Sequence, residues 1–400
     1  LSDPILRSLK DQNYKKPTPI QAEVIPAVLN NSDIMAAAQT GTGKTAAFVL
    51  PILSKLSNPK YKYKGHQLRA LIVTPTRELA AQVRESVNTY SKYLSIRSTA
   101  VYGGARIHNQ KLKLRKGIDI LVATPGRLLD LHNQKSVNLK NIEILVLDEA
   151  DQMLDMGFIH DIKKIANLLP DRRQNLMFTA TFSDSFRSLA MNMAEKAIEI
   201  SVTNDNETGE NINHYIHPVD KSRKAELLIE LIKTKKWDQA LVFTRTKHGA
   251  DRLQKQLDKV NINSKAIHGN KTQNNRMKAL EAFKNNKIQI LVATDVAARG
   301  IDIKRMSQVI NFDVPTVAKD YVHRIGRTGR GGDMGEAITL VSADEFRLLR
   351  DIEKLINKKL ERVEIEGFEP EHVVPIKDKP NKKRFHNKKG FKKRNKSRKG

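Results

Sequence analysis

Three clusters of residues have the types and spacing to do chemistry. The first is Ala37-Ala38-Gln39-Thr40-Gly41-Thr42-Gly43-Lys44-Thr45. It follows the apolar run Ile34-Met35-Ala36 and opens onto Ala46-Ala47-Phe48-Val49-Leu50, so it reads as strand, glycine turn and helix start. Backbone N–H groups in such a turn point at a phosphate, and the helix dipole adds favourable potential. Gly41 and Gly43 allow the tight backbone. Lys44 can reach the β- and γ-phosphates, and the Thr45 hydroxyl can join a Mg²⁺ shell. The second cluster, Asp148-Glu149-Ala150-Asp151, ends the apolar run Ile144-Leu145-Val146-Leu147. Paired carboxylates at a strand end suit a hydrated Mg²⁺, on Asp148, and an attacking water, on Glu149. The third is His323-Arg324-Ile325-Gly326-Arg327-Thr328-Gly329-Arg330. Its glycine-spaced arginines could reach across a cleft to a γ-phosphate as the transition state spreads its charge, an effect worth about 10³–10⁵ in rate.

The elements around these clusters must bring them together. Residues 1–30 read as helices with a turn at Lys16-Pro17-Thr18-Pro19. Buried-strand runs follow at 70–74, 119–124, 143–147, 175–178 and 198–202, separated by helical stretches. Continuous Ile/Leu/Val runs of this kind indicate parallel sheets covered on both faces. Residues 204–213 are polar and read as a flexible linker. A second series lies at 240–244, 265–268, 289–294, 308–312 and 337–341, and Leu121-Val122-Ala123-Thr124 recurs as Leu291-Val292-Ala293-Thr294. The expected division is a first domain over 1–203, the linker, a second domain over 214–365 and a tail over 366–400. In open parallel sheets, ligands bind beyond the carboxyl ends of the strands. Two such sheets facing each other would make a cleft with ligand groups on both walls.

The chain of 400 residues has 71 Lys+Arg against 44 Asp+Glu, a net charge of +27. Residues 376–400 hold 13 basic side chains and one Asp, a net +12, so the other +15 is spread over the rest. A polyanion partner follows, nucleic acid before membrane, since no amphipathic anchor is evident. No run approaches the roughly 18 apolar residues of a membrane span, and the first residues lack a signal-peptide core. Cysteine is absent, which excludes disulfide frameworks and thiolate metal sites and fits a reducing, cytoplasmic setting. Leu1 is not an initiator Met, so the numbering is expected to begin inside a longer product.

Further motifs stand in order along the chain: Pro17-Thr18-Pro19-Ile20-Gln21, Pro75-Thr76-Arg77-Glu78-Leu79-Ala80, Gly103-Gly104, Thr124-Pro125-Gly126-Arg127, Thr179-Ala180-Thr181, Gln273-Asn274-Asn275-Arg276 and the stretch from Thr294 to Asp302. With the three clusters above, this set resembles the DEAD-box RNA helicases over roughly residues 1–365, and the bare core with a basic tail resembles their bacterial RhlE-like subgroup. The resemblance implies two tandem RecA-like α/β domains, ATP with Mg²⁺, and RNA as partner. It implies that Gln21 reads the adenine edge with Tyr14 stacked on the ring, that Ala38 to Thr45 hold the nucleotide, and that Asp302 contacts the ribose. Arg327 and Arg330 would engage the γ-phosphate on closure, while Thr179, Thr181 and His323 would couple the nucleotide site to strand separation. RNA contacts would come from Pro75, Thr76, Arg77, Gly103, Gly104, Thr124, Gly126 and Arg127 in the first domain, and from Arg245, Gln273, Arg276 and Thr294 in the second. Such groups suit the backbone rather than the bases, so recognition would be largely independent of sequence.

Three departures from the family pattern stand out. Thr179 replaces the more common Ser and keeps its hydroxyl. The aromatic residue expected upstream of Gln21 would fall before Leu1. Asn13 stands where Gly is common, and Asn tolerates the same backbone angles better than most residues. The tail beyond Asn381 cannot bury a core and is expected to be disordered, acting as an RNA tether through its bases with Phe385 and Phe391 to stack. Ribosomal precursors or RNA-decay complexes are the settings implied. Two other readings use the same residues: an ATP-gated RNA clamp or remodeller that opens no duplex, and a DNA translocase, which only the 2′-hydroxyl would distinguish.

Overall fold

The computed structural model describes residues 1–38, 41–58, 66–194, 196–202, 212–298, 306–329 and 334–372. The first sheet consists of β1 (Ile34–Ala37), β2 (Ala70–Val73), β3 (Ser98–Val101), β4 (Ile120–Ala123), β5 (Ile144–Leu147), β6 (Gln174–Thr179) and β7 (Ile198–Ser201), in the order β3-β4-β2-β5-β6-β1-β7. The second consists of β8 (Ile212–Pro218), β9 (Ala240–Thr244), β10 (Ser264–Ile267), β11 (Ile290–Thr294), β12 (Gln308–Asn311), β13 (Gly335–Val341) and β14 (Glu361–Arg362), in the order β10-β11-β9-β12-β13-β8-β14. Every pairing is parallel. Both sheets follow one permutation of their strands. The repeated Leu-Val-Ala-Thr tetrapeptide occupies the same place in each, running along β4 and β11.

The apolar runs have the composition that two covered faces demand. In β2, Ala70 and Ile72 enter the core on one side while Leu71 and Val73 enter the core on the other. In β11, Ile290 and Val292 face one layer of helices and Leu291 and Ala293 the opposite layer. Each buried aliphatic side chain of this size contributes about 1.5–3 kcal/mol. The Lys44–Leu56 helix is apolar nearly all round and is clamped by Phe48 against Phe178 of β6, with ring centroids 5.1 Å apart. That contact sets the height at which the glycine turn leaves β1. Asn13 adopts φ +58, the left-handed conformation for which its side chain is suited.

Two boundaries differ from the expectation. Ile212 and Asn213, assigned to the linker, begin β8, because Ile212 is buried and pairs alongside Gly335 of β13. Residues 203–211 lie outside the described residues. The residues just past 365, assigned to a disordered tail, instead turn back onto the second domain. There the Arg223 guanidinium sits 4.5 Å from the Phe368 ring centroid, and Arg223 Nη1 donates to Gly367 O at 2.7 Å. The basic stretch 373–400 lies outside the described residues.

Candidate functional site

Adjacent strand order converts distant motifs into one site. The strands β1, β6 and β5 are neighbours, so the glycine turn, Thr179-Ala180-Thr181 and Asp148-Glu149 all emerge at the carboxyl edge of the first sheet. Ala38 N donates to Thr179 O at 3.1 Å, and Lys44 Nζ reaches the same carbonyl at 3.5 Å. Gly41 and Gly43 both have φ +94, and a Cβ on Gly43 would collide with Gln21 Nε2. The turn is thus a cradle that only glycine leaves open. Thr42 and Thr45 flank it at the mouth and at the helix start, while Gln39 and Thr40 lie outside the described residues.

Gln21 joins the turn to the Pro19–Leu29 helix. Its Oε1 accepts from Thr18 N at 3.0 Å, and its Nε2 donates to Gly43 O at 3.2 Å. One Nε2 hydrogen and one Oε1 lone pair remain, the donor–acceptor pair that complements the N6/N7 edge of adenine. Tyr14 opens onto the apolar groove beside Gln21 and is held by its hydroxyl contact to Tyr90, 2.8 Å away.

Asp148 and Glu149 are both buried, and Glu149 is forced to φ +52 at the turn into the next helix. Burial, reinforced by the Glu149 charge, pushes the Asp148 carboxyl up to about 7. Burial raises Glu149 too, with the Lys44 and Arg327 charges opposing it. Glu149 Oε2 is buried with no hydrogen-bond partner. A closely set carboxylate pair with one orphaned oxygen fits a dication with water, and a Mg²⁺ shared with phosphates needs only one or two protein carboxylates. Among the described residues, no group of three or more His, Asp or Glu side chains forms a metal cage of its own. Asp151 is used differently: its Oδ2 accepts from Ala180 N at 2.9 Å, tying the carboxylate turn to the Thr179-Ala180-Thr181 turn. Thr179 Oγ1 donates to Thr181 O at 2.8 Å within that turn.

The second domain completes the pocket. Lys44, Glu149, Asp151 and Ala180 share one cavity with His323 and Arg327. The Ala318–Ile325 helix that delivers them is anchored by Arg324, which sequence reading left without a role. Arg324 Nε and Nη2 meet Asp295 Oδ1 and Oδ2 at 2.6 and 2.7 Å, and Nη1 donates to Asn311 Oδ1 and Asp313 O. Asp302 and Arg330 lie outside the described residues.

A second groove runs between the domains. It is lined by Pro75, Thr76, Arg77, Glu78, Gly103, Thr124, Gly126 and Arg127 from the first domain and by Gly269, Arg276 and Val296 from the second. Most of the expected RNA contacts are therefore brought together. Arg77 packs its guanidinium where a Cβ on Gly104 would stand, so that glycine also serves close approach. Gln273 Nε2 and Arg276 Nη2 both reach Glu78 Oε1, at 2.8 and 3.1 Å. Their Gln273 Oε1 and Arg276 Nε stay buried without hydrogen-bond partners. Arg245 is directed elsewhere, with Nη2 donating to Glu345 Oε1 at 2.8 Å and Val314 O at 3.1 Å. Thr294 ends β11 and does not line the groove. Sequence reading missed the buried Glu78 and the apolar Met156, Phe158 and Val296 of the groove wall. No periodicity marks a carboxylate whose partner is in another domain.

Residues 18–189 match the family model described as DEAD/DEAH box helicase, and residues 223–332 match the helicase conserved C-terminal domain. The chain is 40% identical over 374 residues to the DEAD-box ATP-dependent RNA helicase RhpA of Helicobacter pylori, covering 94% of this chain and 75% of that one. It is 42% identical over 364 residues to the DEAD-box ATP-dependent RNA helicase CshA of Bacillus cereus, covering 91% and 68%. Among solved structures, S. cerevisiae Dbp5 bound to RNA and ADP BeF3 aligns with TM-score 0.80 at 31% identity, over 91% of this chain and 94% of that one. Mss116p bound to ssRNA and AMP-PNP aligns with TM-score 0.81 at 30% identity, over 92% and 78%. Two matched domains in order, two sheets of one topology and relatives this similar over most of their length establish that the chain belongs to the DEAD-box family of ATP-dependent RNA helicases.

Proposed function

We propose that this chain hydrolyses ATP when RNA is bound and uses closure of its two domains to open short duplexes locally. The observation that carries this reading is the cavity shared by Lys44 and Glu149 of the first domain with His323 and Arg327 of the second. A pocket built from both domains is complete only when they are together, which makes hydrolysis depend on closure. Adenine is read by the free donor and acceptor of Gln21 beside Tyr14, and the phosphates lie in the cradle of Ala38 to Thr45. Thr45 and Asp148 would hold Mg²⁺, which when bound would neutralise charge on the phosphate oxygens. Glu149 orients the attacking water and takes its proton as the bond from the γ-phosphorus to the bridging oxygen breaks. Arg327 neutralises the charge that develops there. The proposed division places the first domain at residues up to 203, the second from Ile212 onward, and the connection at 204–211.

RNA occupies the groove between the domains, held by its backbone on Thr76, Arg77, Gly103, Gly104, Thr124, Gly126 and Arg127. The RNA-bound state of the structural neighbours supports this assignment. The turn of Thr179 and Thr181, bonded to Asp151 through Ala180, is the proposed coupling element between the nucleotide site and that groove. Ribosomal precursors and RNA-decay complexes are the proposed settings.

The test is steady-state hydrolysis with no nucleic acid, with single-stranded RNA and with matched DNA. RNA alone should stimulate, and Glu149→Gln and Arg327→Ala should each lose about 10³-fold or more of the stimulated rate. Equal stimulation by DNA, or none by either, would sink the RNA-coupled reading.

A further inference from the structure

We propose that the Ile107–Arg115 helix and its flanks form a second phosphate-binding face, which carries RNA outward from the end of the interdomain groove. The inference rests on the assignment of RNA to that groove. Residues 103–118 contain Arg106, Lys111, Lys113, Arg115 and Lys116 and no acidic residue. The helix turns Gln110 and Leu114 inward, where Gln110 Nε2 donates to Tyr102 O at 3.0 Å, and leaves Arg106, Lys113, Arg115 and Lys116 exposed. Arg97 joins the far end by donating Nη1 to Lys116 O at 3.0 Å.

Helix stability alone does not explain this charge. Cations in the last turn suit the helix dipole, which accounts for Lys113 and Arg115. Arg106 sits at the opposite, positive end, where a cation is unfavourable. Lys111 and Arg115 are four apart, and Lys113 and Lys116 three apart, spacings at which like charges repel. Among the described residues, Arg106, Lys113, Arg115 and Lys116 have no carboxylate within ion-pair distance. The adjacent acid, Asp119, is already taken by His66 Nδ1 at 2.6 Å and Arg97 N at 2.8 Å. Some exposed bases elsewhere on the same domain are paired, as Lys92 is with Asp11 and Arg187 with Glu199.

Position supplies the occupant. Gly103 lines the RNA groove, and Arg127, also in its wall, donates Nη1 to Ala105 O at 3.2 Å. The helix therefore starts from a loop fastened to the groove. From Arg106 to Lys116 the bases extend over roughly 15 Å at the helical rise per residue. A one-signed rail continuous with a phosphate groove is complementary to the next stretch of the same polyanion.

The test uses the full chain and its triple variant Lys113→Gln/Arg115→Gln/Lys116→Gln, with oligouridylates of about 6 and about 20 nucleotides, short and long against the groove. The half-saturating concentration of the long RNA should rise about tenfold, and that of the short RNA should stay within about twofold. The log–log salt slope for the long RNA should fall by about 2, from three phosphate contacts at roughly 0.7 each on a single strand. Lys113→Arg/Lys116→Arg should keep the long-RNA affinity. Equal loss for both lengths, or loss in the arginine variant, would overturn the proposal. Unchanged affinity for both lengths would also overturn it and leave the face to an acidic protein. The short RNA reports on the groove and the difference between lengths on the helix, so failures of the two readings are distinguishable.

Discussion

Glu78 of the first domain accepts a hydrogen bond from Gln273 of the second at 2.8 Å, between residues 195 apart in sequence. The same carboxylate pairs with Arg276 at 3.1 Å, and Glu78 is only 2% exposed. A carboxylate this buried is costly when its partner is removed. Glu78→Ala and Arg276→Ala should each weaken ATP-dependent RNA binding by about 10- to 100-fold. Together they should fall short of the summed loss, with a coupling of about 0.5–3 kcal/mol. A double-mutant cycle on RNA affinity checks this, and strict additivity would show that the pair does not hold the domains together.

The glycine turn makes a sharper claim. Gly43→Ala places a Cβ on Gln21 Nε2 in a backbone at φ +94, a conformation that costs an L residue about 1–2 kcal/mol. Because the collision displaces the side chain proposed to read adenine, nucleotide affinity should fall by about tenfold or more. Gly126→Ala has open space for its Cβ and should leave nucleotide affinity unchanged. Titration with a fluorescent ATP analogue separates the two, and similar losses would refute the collision argument.

Inside the second domain, Glu345 is 4% exposed and accepts from Lys224, itself 1% exposed, while its other oxygen accepts from Arg245. Lys224 Nζ also donates to Phe312 O at 2.9 Å and Leu340 O at 2.8 Å. Glu345→Gln leaves a buried ammonium without its counter-charge and should cost about 3–5 kcal/mol. Urea unfolding should show a lower midpoint with an unchanged slope. The exposed pair of Lys92 with Asp11 provides the contrast, and Asp11→Asn should leave the midpoint almost in place. A small shift from Glu345→Gln would mean that water reaches the site.

Stability should also fall on the acidic side of neutrality. His217 in β8 is 1% exposed, its Nδ1 donates to Val363 O at 2.5 Å, and its Nε2 is buried without a partner. Burial holds its pKa below the ordinary 6.5, with Lys235 acting in the same direction and the Val363 carbonyl and Glu336 opposing. Burial lowers His214 in the same way. Above pH 6.5 these histidines are neutral in both states and contribute no pH dependence. As pH falls below 6.5 the unfolded chain takes up protons that the folded chain refuses, so stability declines towards the lowered folded values. Urea midpoints at about pH 7.5 and about pH 5.5 check the sign, and His217→Gln should flatten the dependence. A midpoint that rises on acidification would contradict it.

Much of this molecule was legible in one dimension. Strands buried on both faces are short uninterrupted runs, as in Ile144–Leu147, because neither face meets water. Other strands were harder. Ser98–Val101 carries Ser, Thr and Ala on a half-covered edge, and Ile212–Pro218 carries two histidines, so β3 and the start of β8 lacked that signature. Among the site residues, the glycine turn and the paired carboxylates were readable because their chemistry lies within a few consecutive residues. The motif around Arg245 gave no sign of its bond to a buried carboxylate 100 residues away.

The sequence by itself determined two α/β units, a phosphate cradle, a carboxylate pair and a basic balance, because burial and backbone preference act over neighbouring residues. Only the tertiary structure decided which of these meet. Strand order sets β1, β6 and β5 side by side, and the packing of one domain against the other brings Arg327 to Glu149 and Gln273 to Glu78. Those meetings depend on the orientation of two independently packed cores. No local pattern encodes that orientation, because its energy comes from groups far apart in sequence, 195 residues in the case of Gln273 and Glu78, that pair only once both cores exist.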